Sequence, residues 1–348
     1  MIEDETAPER TEDATILADA LAGDETAFGT LAERYRRELR VHCYRMLGSF
    51  EESEDLVQET FLRAWRRRET FEGRSTFRAW LYRIATNACL DLLDRHPRRP
   101  RPREAPVLAT PGVPSPSATE VFWLRPYPDR LLEPAASPDD EPDAEVVAKE
   151  TIELAFLVAI QHLPARQRAV LILRDVLGWS APETAGLLEV SVVAVKSALQ
   201  RARSTMREHL PPRRLDWAPS TDPTGEERQA LQRYIDAVEQ ADPAVLASVL
   251  RADAWQTMPP APIWILGGNA IVEAWRDAMV GPQAWGDWRV LPTRANRQPA
   301  AAAYLRRPGE SGYRGSWLGV LRVEDGLVTE VTTFGPEIFP EFGLPSAL

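Results

Sequence analysis

Twelve of the chain's thirty prolines fall between Pro97 and Pro142. A proline removes a backbone donor and clashes with the turn before it, so neither a long helix nor an inner strand runs through such a tract. The segments on its two sides are expected to be separate domains. At 348 residues the chain is also too long for a single core. Residues 97–142 are therefore expected to be a linker, acidic and rich in proline. A run within it, Val121 to Pro128, is too aromatic for an inert spacer and is expected to dock somewhere. A shorter linker is expected at 211–225, and residues 1–12 are polar, acidic and expected to be disordered.

Between these tracts the apolar spacing is helical as far as about His209. One helix is predicted from Asp13 to Gly23. A second is capped by Asp24, carries Phe28, Leu31, Tyr35 and Leu39 inward, and stops at Gly48. A third begins at Ser53, a loop covers Glu69 to Ser75, and a fourth runs from Thr76 to about Arg95. Helices are then predicted at 143–161 and 165–177, with a turn at Gly178-Trp179-Ser180, a short helix at 181–188, and a last one from a Ser191 cap to His209. After residue 226 the pattern changes. Helices at 226–240, 243–251 and 269–279 are mixed with six short runs rich in Trp, Val and Tyr. Asp325-Gly326 between two of those runs marks a hairpin.

The net charge of -11 hides two basic islands. Residues 60–103 carry 12 basic and 4 acidic side chains, and residues 163–214 carry 9 and 4, whereas each flanking stretch is acidic. Islands of this kind attract phosphate, and the acidic remainder suppresses indiscriminate binding. No apolar run approaches the length of a membrane span, and the acidic start is unlike a secretory signal, so a cytoplasmic setting without a membrane partner is expected. Cys43 and Cys89 lie in helical patterns as expected buried thiols. No spacing of ligands points to a metal, and no cofactor motif is present.

The helix, glycine-containing turn, short helix and basic helix over 165–207 form a helix–turn–helix, whose last helix enters a major groove. Its exposed candidates are Ser191, Val193, Lys196, Ser197, Gln200, Arg201 and Arg203. The small or apolar start suits a thymine methyl, glutamine reads adenine, and the basic groups grip phosphate or guanine.

Upstream, Glu54-Asp55-Leu56-Val57-Gln58-Glu59-Thr60-Phe61-Leu62-Arg63-Ala64-Trp65 and Phe71-Glu72-Gly73-Arg74-Ser75-Thr76-Phe77-Arg78-Ala79-Trp80-Leu81-Tyr82-Arg83 closely resemble region two of the sigma-70 family, in its extracytoplasmic-function subgroup. Val195-Lys196-Ser197 and Gln200-Arg201-Ala202-Arg203 then resemble region four. Ala194, Ala198 and Gln200 depart from the family's usual residues. The aromatic linker run and the C-terminal pattern resemble members that carry a SnoaL-like C-terminal domain, the sigma-G type.

The resemblance implies a multidomain protein. It has two all-α domains, a region-two helical bundle at 13–96 and a region-four helix–turn–helix at 143–210, plus a C-terminal α+β SnoaL-like cone at 226–340. It implies two partners, core RNA polymerase and promoter DNA, and a role in promoter recognition, DNA melting and transcription initiation. Asp55, Leu56, Gln58, Glu59 and Phe61 would dock on the largest polymerase subunit. Phe71, Gly73, Arg74 and Ser75 would hold a flipped base of the minus-ten strand, with Arg78 and Arg83 on its phosphates and Asn87 along it. The acidic linker would thread the polymerase cleft. The last domain would regulate in cis, through a small-molecule ligand in an apolar pocket lined by Trp264, Trp275, Trp288, Tyr304, Trp317 and Phe334, or alongside an anti-sigma protein.

Two alternatives compete. A ligand-sensing helix–turn–helix regulator without polymerase-core function would leave the first helical domain unused. An enzyme fused to a DNA-binding module would need an acid or base in the cone. The four histidines all precede it, which leaves only Asp253, Asp277 or Asp287. A non-enzymatic protein is the expectation.

Overall fold

The computed structural model describes residues 7–73, 75–95, 124–132, 152–209, 224–259 and 261–348. Arg74, Val121 to Trp123 and most of both expected linkers lie outside the described residues. The chain forms two compact units. The first holds the described residues of 7–95 and 159–209. The second holds those of 124–132, 152–158 and 224–348.

The first unit is helical. Helix α1 spans Ala7–Ala22, so part of the segment expected to be disordered is helical. Helix α2, Glu25–Leu47, starts where Asp24 accepts hydrogen bonds from the amides of Thr26 and Ala27 at 2.8 and 2.9 Å. It ends at Gly48, whose φ of 73° few other residues adopt without strain. Helix α3, Phe50–Arg66, begins one turn before Ser53 because Ser49 caps it. Helix α4 is Phe77–Arg95. Helices α2, α3 and α4 pack on one another around Leu39, Tyr44, Val57 and Leu81.

Helix α5, Leu154–Gln161, begins in the second unit and ends in the first. Helix α6, Ala165–Leu171, continues into a π-helical stretch, Ile172–Val176, instead of the single helix expected to 177. Helix α7, Ala181–Leu188, opens on a capping box between Ser180 and Glu183, and α8 is Val192–His209. Arg168 is buried, and its guanidinium donates to the carbonyls of Met46, Gln161 and Leu163. It thereby ties the end of α2 to the α5–α6 turn.

The second unit is α+β. Helices α9, Gly225–Glu239, and α10, Pro243–Val249, precede strands β1, Leu250–Met258, and β2, Ala261–Leu266. Helix α11, Gly268–Met279, leads to β3, Asp287–Ala295, β4, Gln298–Arg306, β5, Arg314–Glu324, and β6, Leu327–Phe334. The sheet order is β2-β1-β6-β5-β4-β3, with only β1 and β6 parallel. The helices cover one face, over a core that includes Tyr234, Leu246, Ile271, Trp288, Ala303 and Val331. The expected Asp325-Gly326 hairpin forms, with φ of 52° and 72°. A second such turn, Asn296-Arg297, joins β3 to β4 with φ of 56° and 58°.

Residues Leu124 to Leu132 pack against this second turn. Pro128 bridges Ala295, Asn296 donates its amide to the Tyr127 carbonyl at 2.9 Å, and Tyr127 donates back to Asn296 Oδ1 at 2.7 Å. Asn296 Nδ2 donates to the Ile152 carbonyl at 2.6 Å, and Gln298 Oε1 accepts from the Leu154 amide at 3.0 Å. Buried Asp129 accepts from the Arg297 amide at 2.8 Å and lies 3.2 Å from Arg294. Two stretches of chain far apart in sequence are thus held on one hairpin end. In Asn296→Ala the buried Tyr127 amide loses its acceptor, at a cost of about 1–3 kcal/mol. Limited proteolysis of the full chain is expected to cut near residues 124–132 faster in that variant than in the wild type.

His42 is fully buried in the first unit, with Nε2 2.9 Å from Thr86 Oγ1. Burial, then the charges of Arg45 and Arg78, lower its pKa to about 3. The unfolded chain therefore binds a proton that the folded chain refuses between pH 6.5 and about 3. The contribution linked to His42 is neutral above pH 6.5 and destabilises the fold as the pH drops through that window. Urea denaturation of His42→Gln is expected to show a shallower acid loss than the wild type over the same range.

Candidate functional site

Three exposed faces of the first unit can meet a partner. The first is on α3. Asp55 and Gln58 are exposed, and Leu56 and Glu59 are half-buried. Glu59 accepts from Arg63 at 2.7 Å. Phe61 is buried under the Arg36 guanidinium, which lies 5.5 Å from its ring, so it belongs to the core and not to the outer face. Leu62 takes its place outside, half exposed. It sits four residues after Gln58 and seven after Asp55, which puts the three on one stripe. That spacing is visible in the sequence, and Leu62 is the exposed apolar residue of this face that sequence reasoning passed over.

The second face is α4 with the loop before it. Phe71 is half-buried against Phe77 and Trp80, with ring centroids 5.8 and 5.5 Å away. Gly73 has a φ of 69°, and Ser75 is exposed. Arg83 and Asn87 are exposed one turn apart. Arg78 is placed differently. It pairs at 2.7 Å with the buried Glu38 carboxylate, which also accepts from the Tyr82 hydroxyl at 3.3 Å. A buried carboxylate needs such a counter-charge, so Arg78 is a structural member of the bundle. Tyr82 is likewise fully buried and offers no stacking surface.

The third face is on α8. Val195, Leu199, Ala202 and Met206 point inward at helical spacing. The Ser191 hydroxyl caps the helix by accepting from the Ala194 amide at 3.1 Å. Val193, Lys196, Ser197, Gln200 and Arg201 are exposed, Val193 by 76%. Arg201 donates to Ser197 Oγ at 2.7 Å, which aligns it along the helix. Arg203 is turned away and held by both oxygens of Asp175 at 2.7 and 2.8 Å, a bond that raises its pKa.

The second and third faces meet. Arg83 pairs with Glu189, the residue that ends α7 with a φ of 55°. The Tyr82 and Trp179 rings lie 5.3 Å apart.

In the second unit the six aromatic residues expected around one pocket are divided by the sheet. Trp275, Trp288 and Trp317 lie on the helix-covered face, where Trp288 and Trp317 are 6.3 Å apart. Trp264 is on the other face beside Trp255, Tyr304 packs there on Phe339, and Phe334 pairs across strands with Leu318. The side-chain period of two separates them. Asp253 and Asp287 are mostly exposed and bound to Arg251 and Arg306, and Asp277 is exposed.

Comparison with known proteins places the two helical regions in a known family. Sigma-70 region 2 matches residues 31–99, and sigma-70 region 4 matches residues 153–206. The ECF RNA polymerase sigma factor SigG of Mycobacterium tuberculosis is 42% identical over 341 residues, 95% of this chain and 86% of that protein. The ECF RNA polymerase sigma factor SigW of Bacillus subtilis is 30% identical over 191 residues, 54% of this chain and 91% of its own. The crystal structure of the M. tuberculosis extracytoplasmic function sigma factor SigJ shares the fold, with a TM-score of 0.56 and 21% identity over 90% of this chain and 98% of that one. Two helical sigma-70 regions followed by a mixed-sheet domain define a sigma factor. The chain belongs to the ECF RNA polymerase sigma factors. It binds core RNA polymerase and directs it to promoter DNA, and a regulator without polymerase function is not favoured.

Because Glu189 engages Arg83, neutralising Glu189 should free a cation for single-stranded DNA. Glu189→Gln in the full chain is expected to bind a minus-ten single strand about twofold to fivefold tighter. The Arg83→Gln/Glu189→Gln pair should show no gain. Fluorescence anisotropy with a labelled oligonucleotide checks both.

Proposed function

We propose that the three faces of the helical unit divide the work of initiation. The α3 stripe of Asp55, Gln58 and Leu62 docks on core polymerase. Arg83, Asn87 and the 71–75 loop take the melted minus-ten strand. Val193, Lys196, Ser197, Gln200 and Arg201 read the minus-thirty-five duplex. The observation that carries this assignment is the exposure of these side chains on helices whose opposite faces are buried.

The contact between the second and third faces gives the unit a closed form. The two promoter elements are about 25 base pairs apart, roughly 80 Å along the duplex at 3.4 Å per step. A unit in which Arg83 touches Glu189 does not span that distance. The closed form therefore belongs to the unbound protein, and promoter engagement parts α4 from the α7–α8 turn.

The C-terminal domain acts in cis and without catalysis in this reading. Support comes from the chain itself: Ile152 and Leu154, at the start of the region-four match, are fastened to the β3–β4 turn, as is the linker turn at 127–129. The position of its aspartates outside the core fits a non-enzymatic role. Among the described residues no helix is long and apolar enough to cross a membrane, which is compatible with action on cytoplasmic polymerase.

Transcription with core polymerase tests the assignment. The full chain is expected to direct promoter-specific transcripts. Leu62→Glu should lower its affinity for core at least about tenfold, because a desolvated apolar contact becomes a buried charge. Unchanged assembly of that variant with core would remove α3 from the docking surface. Failure of the wild-type chain, where a control sigma factor works, would overturn the whole reading.

A further inference from the structure

A cavity of about 470 Å3 opens in the second unit, within the range of small-molecule sites. It lies where the docked linker turn, the first turns of α9 and the ends of β3 and β4 come together. Pro292, Pro299 and Phe342 give it apolar walls, and Arg130, Arg228 and Arg294 bring three guanidiniums to it.

Among the described residues one carboxylate lines the same space, and it is already committed. Asp129 accepts from the Arg297 amide and lies against Arg294. Arg130 donates to the Glu341 carbonyl at 2.7 and 3.1 Å, a dipole that leaves its full charge in place. Arg228 is exposed and meets no carboxylate among the described residues. The cavity is thus positive by two charges. The surrounding stretch, residues 215–348, carries 11 basic and 17 acidic side chains, so this concentration of cations stands against the sign of its domain. Guanidiniums from three separate elements converging on proline and phenyl walls match an oxyanion attached to an apolar body.

We propose that this cavity binds a small organic anion, an apolar group bearing one carboxylate or phosphate, which bridges the linker turn to α9 and the sheet. The cations come from the linker (Arg130), from α9 (Arg228) and from β3 (Arg294), so one bound anion touches all three. It would tighten the hold of the C-terminal domain on the linker. The binding stands on the cavity alone, whereas its regulatory use rests on the cis-acting role proposed above.

The test measures binding directly, apart from transcription. The full chain is titrated by calorimetry with phenyl phosphate, benzoate and phenol, and amide exchange is followed at Tyr127 and Arg297. Phenyl phosphate or benzoate is expected to saturate one site near or below about 1 mM, and phenol to bind far more weakly. The tighter of the two anions identifies the head group. Arg228→Gln and Arg130→Gln should each weaken binding about tenfold, while Arg289→Gln, an exposed change outside the cavity, should not. Circular dichroism melts establish that the variants are folded. Equal binding by Arg228→Gln and wild type, equal binding by phenol, or no saturation by about 10 mM of any probe overturns the site. Binding with unchanged exchange at Tyr127 and Arg297 overturns the bridging.

Discussion

Two consecutive residues in the left-handed region, Asn296 and Arg297, close the β3–β4 hairpin. Arginine at such a position costs on the order of 1 kcal/mol or more, and the turn needs support from outside itself. The linker supplies it. Tyr127 exchanges two hydrogen bonds with Asn296, and Asp129 accepts the Arg297 amide. The dependence runs both ways, since residues 124–132 are held by these bonds together with the burial of Leu124, Tyr127 and Leu132 and the contacts of Arg125 and Arg130 with Glu341. This mutual support brings about the attachment of residues 152–158, the placing of Arg130 beside Arg294, and the cavity that those arginines line.

The helical unit shows how a basic island serves two purposes. Arg78, Arg168 and Arg203 are engaged by the protein's own groups, the first two at buried partners and the third at the surface: Glu38, three carbonyls and Asp175. Arg201, Lys196 and Asn87 remain outward. Net charge per segment does not separate these groups, because a buried carboxylate or a bare carbonyl recruits a cation as effectively as a phosphate does. The outward set is smaller than the island, and packing and pairing decide its members. Arg83 stands between the two groups: it is exposed on α4, yet paired with Glu189.

The aromatic residues of the C-terminal domain make the same point about the sheet. Sequence reasoning assigns six of them to one pocket. Strand alternation sends Trp264, Tyr304 and Phe334 to one face and Trp288 and Trp317, with Trp275 of α11, to the other. Register settles this, and register is set by cross-strand pairing that no local pattern records. The space that does open is lined by arginines and prolines from elements up to 214 residues apart, from Pro128 to Phe342.

The amino-acid sequence by itself determined the element types, most of their bounds, the sigma-70 regions and the recognition helix, because helical spacing, caps and turn residues are local signals. The caps at Asp24 and Ser191 and the Asp325-Gly326 turn were legible for that reason. Tertiary structure alone decided that Phe61 is core and Leu62 is surface, that Arg78 pairs with a buried carboxylate and Arg203 with Asp175, and that residues 124–132 pack on the C-terminal domain. Each of these depends on which groups lose water together when distant segments meet, and desolvation is a property of the packed chain, not of its order.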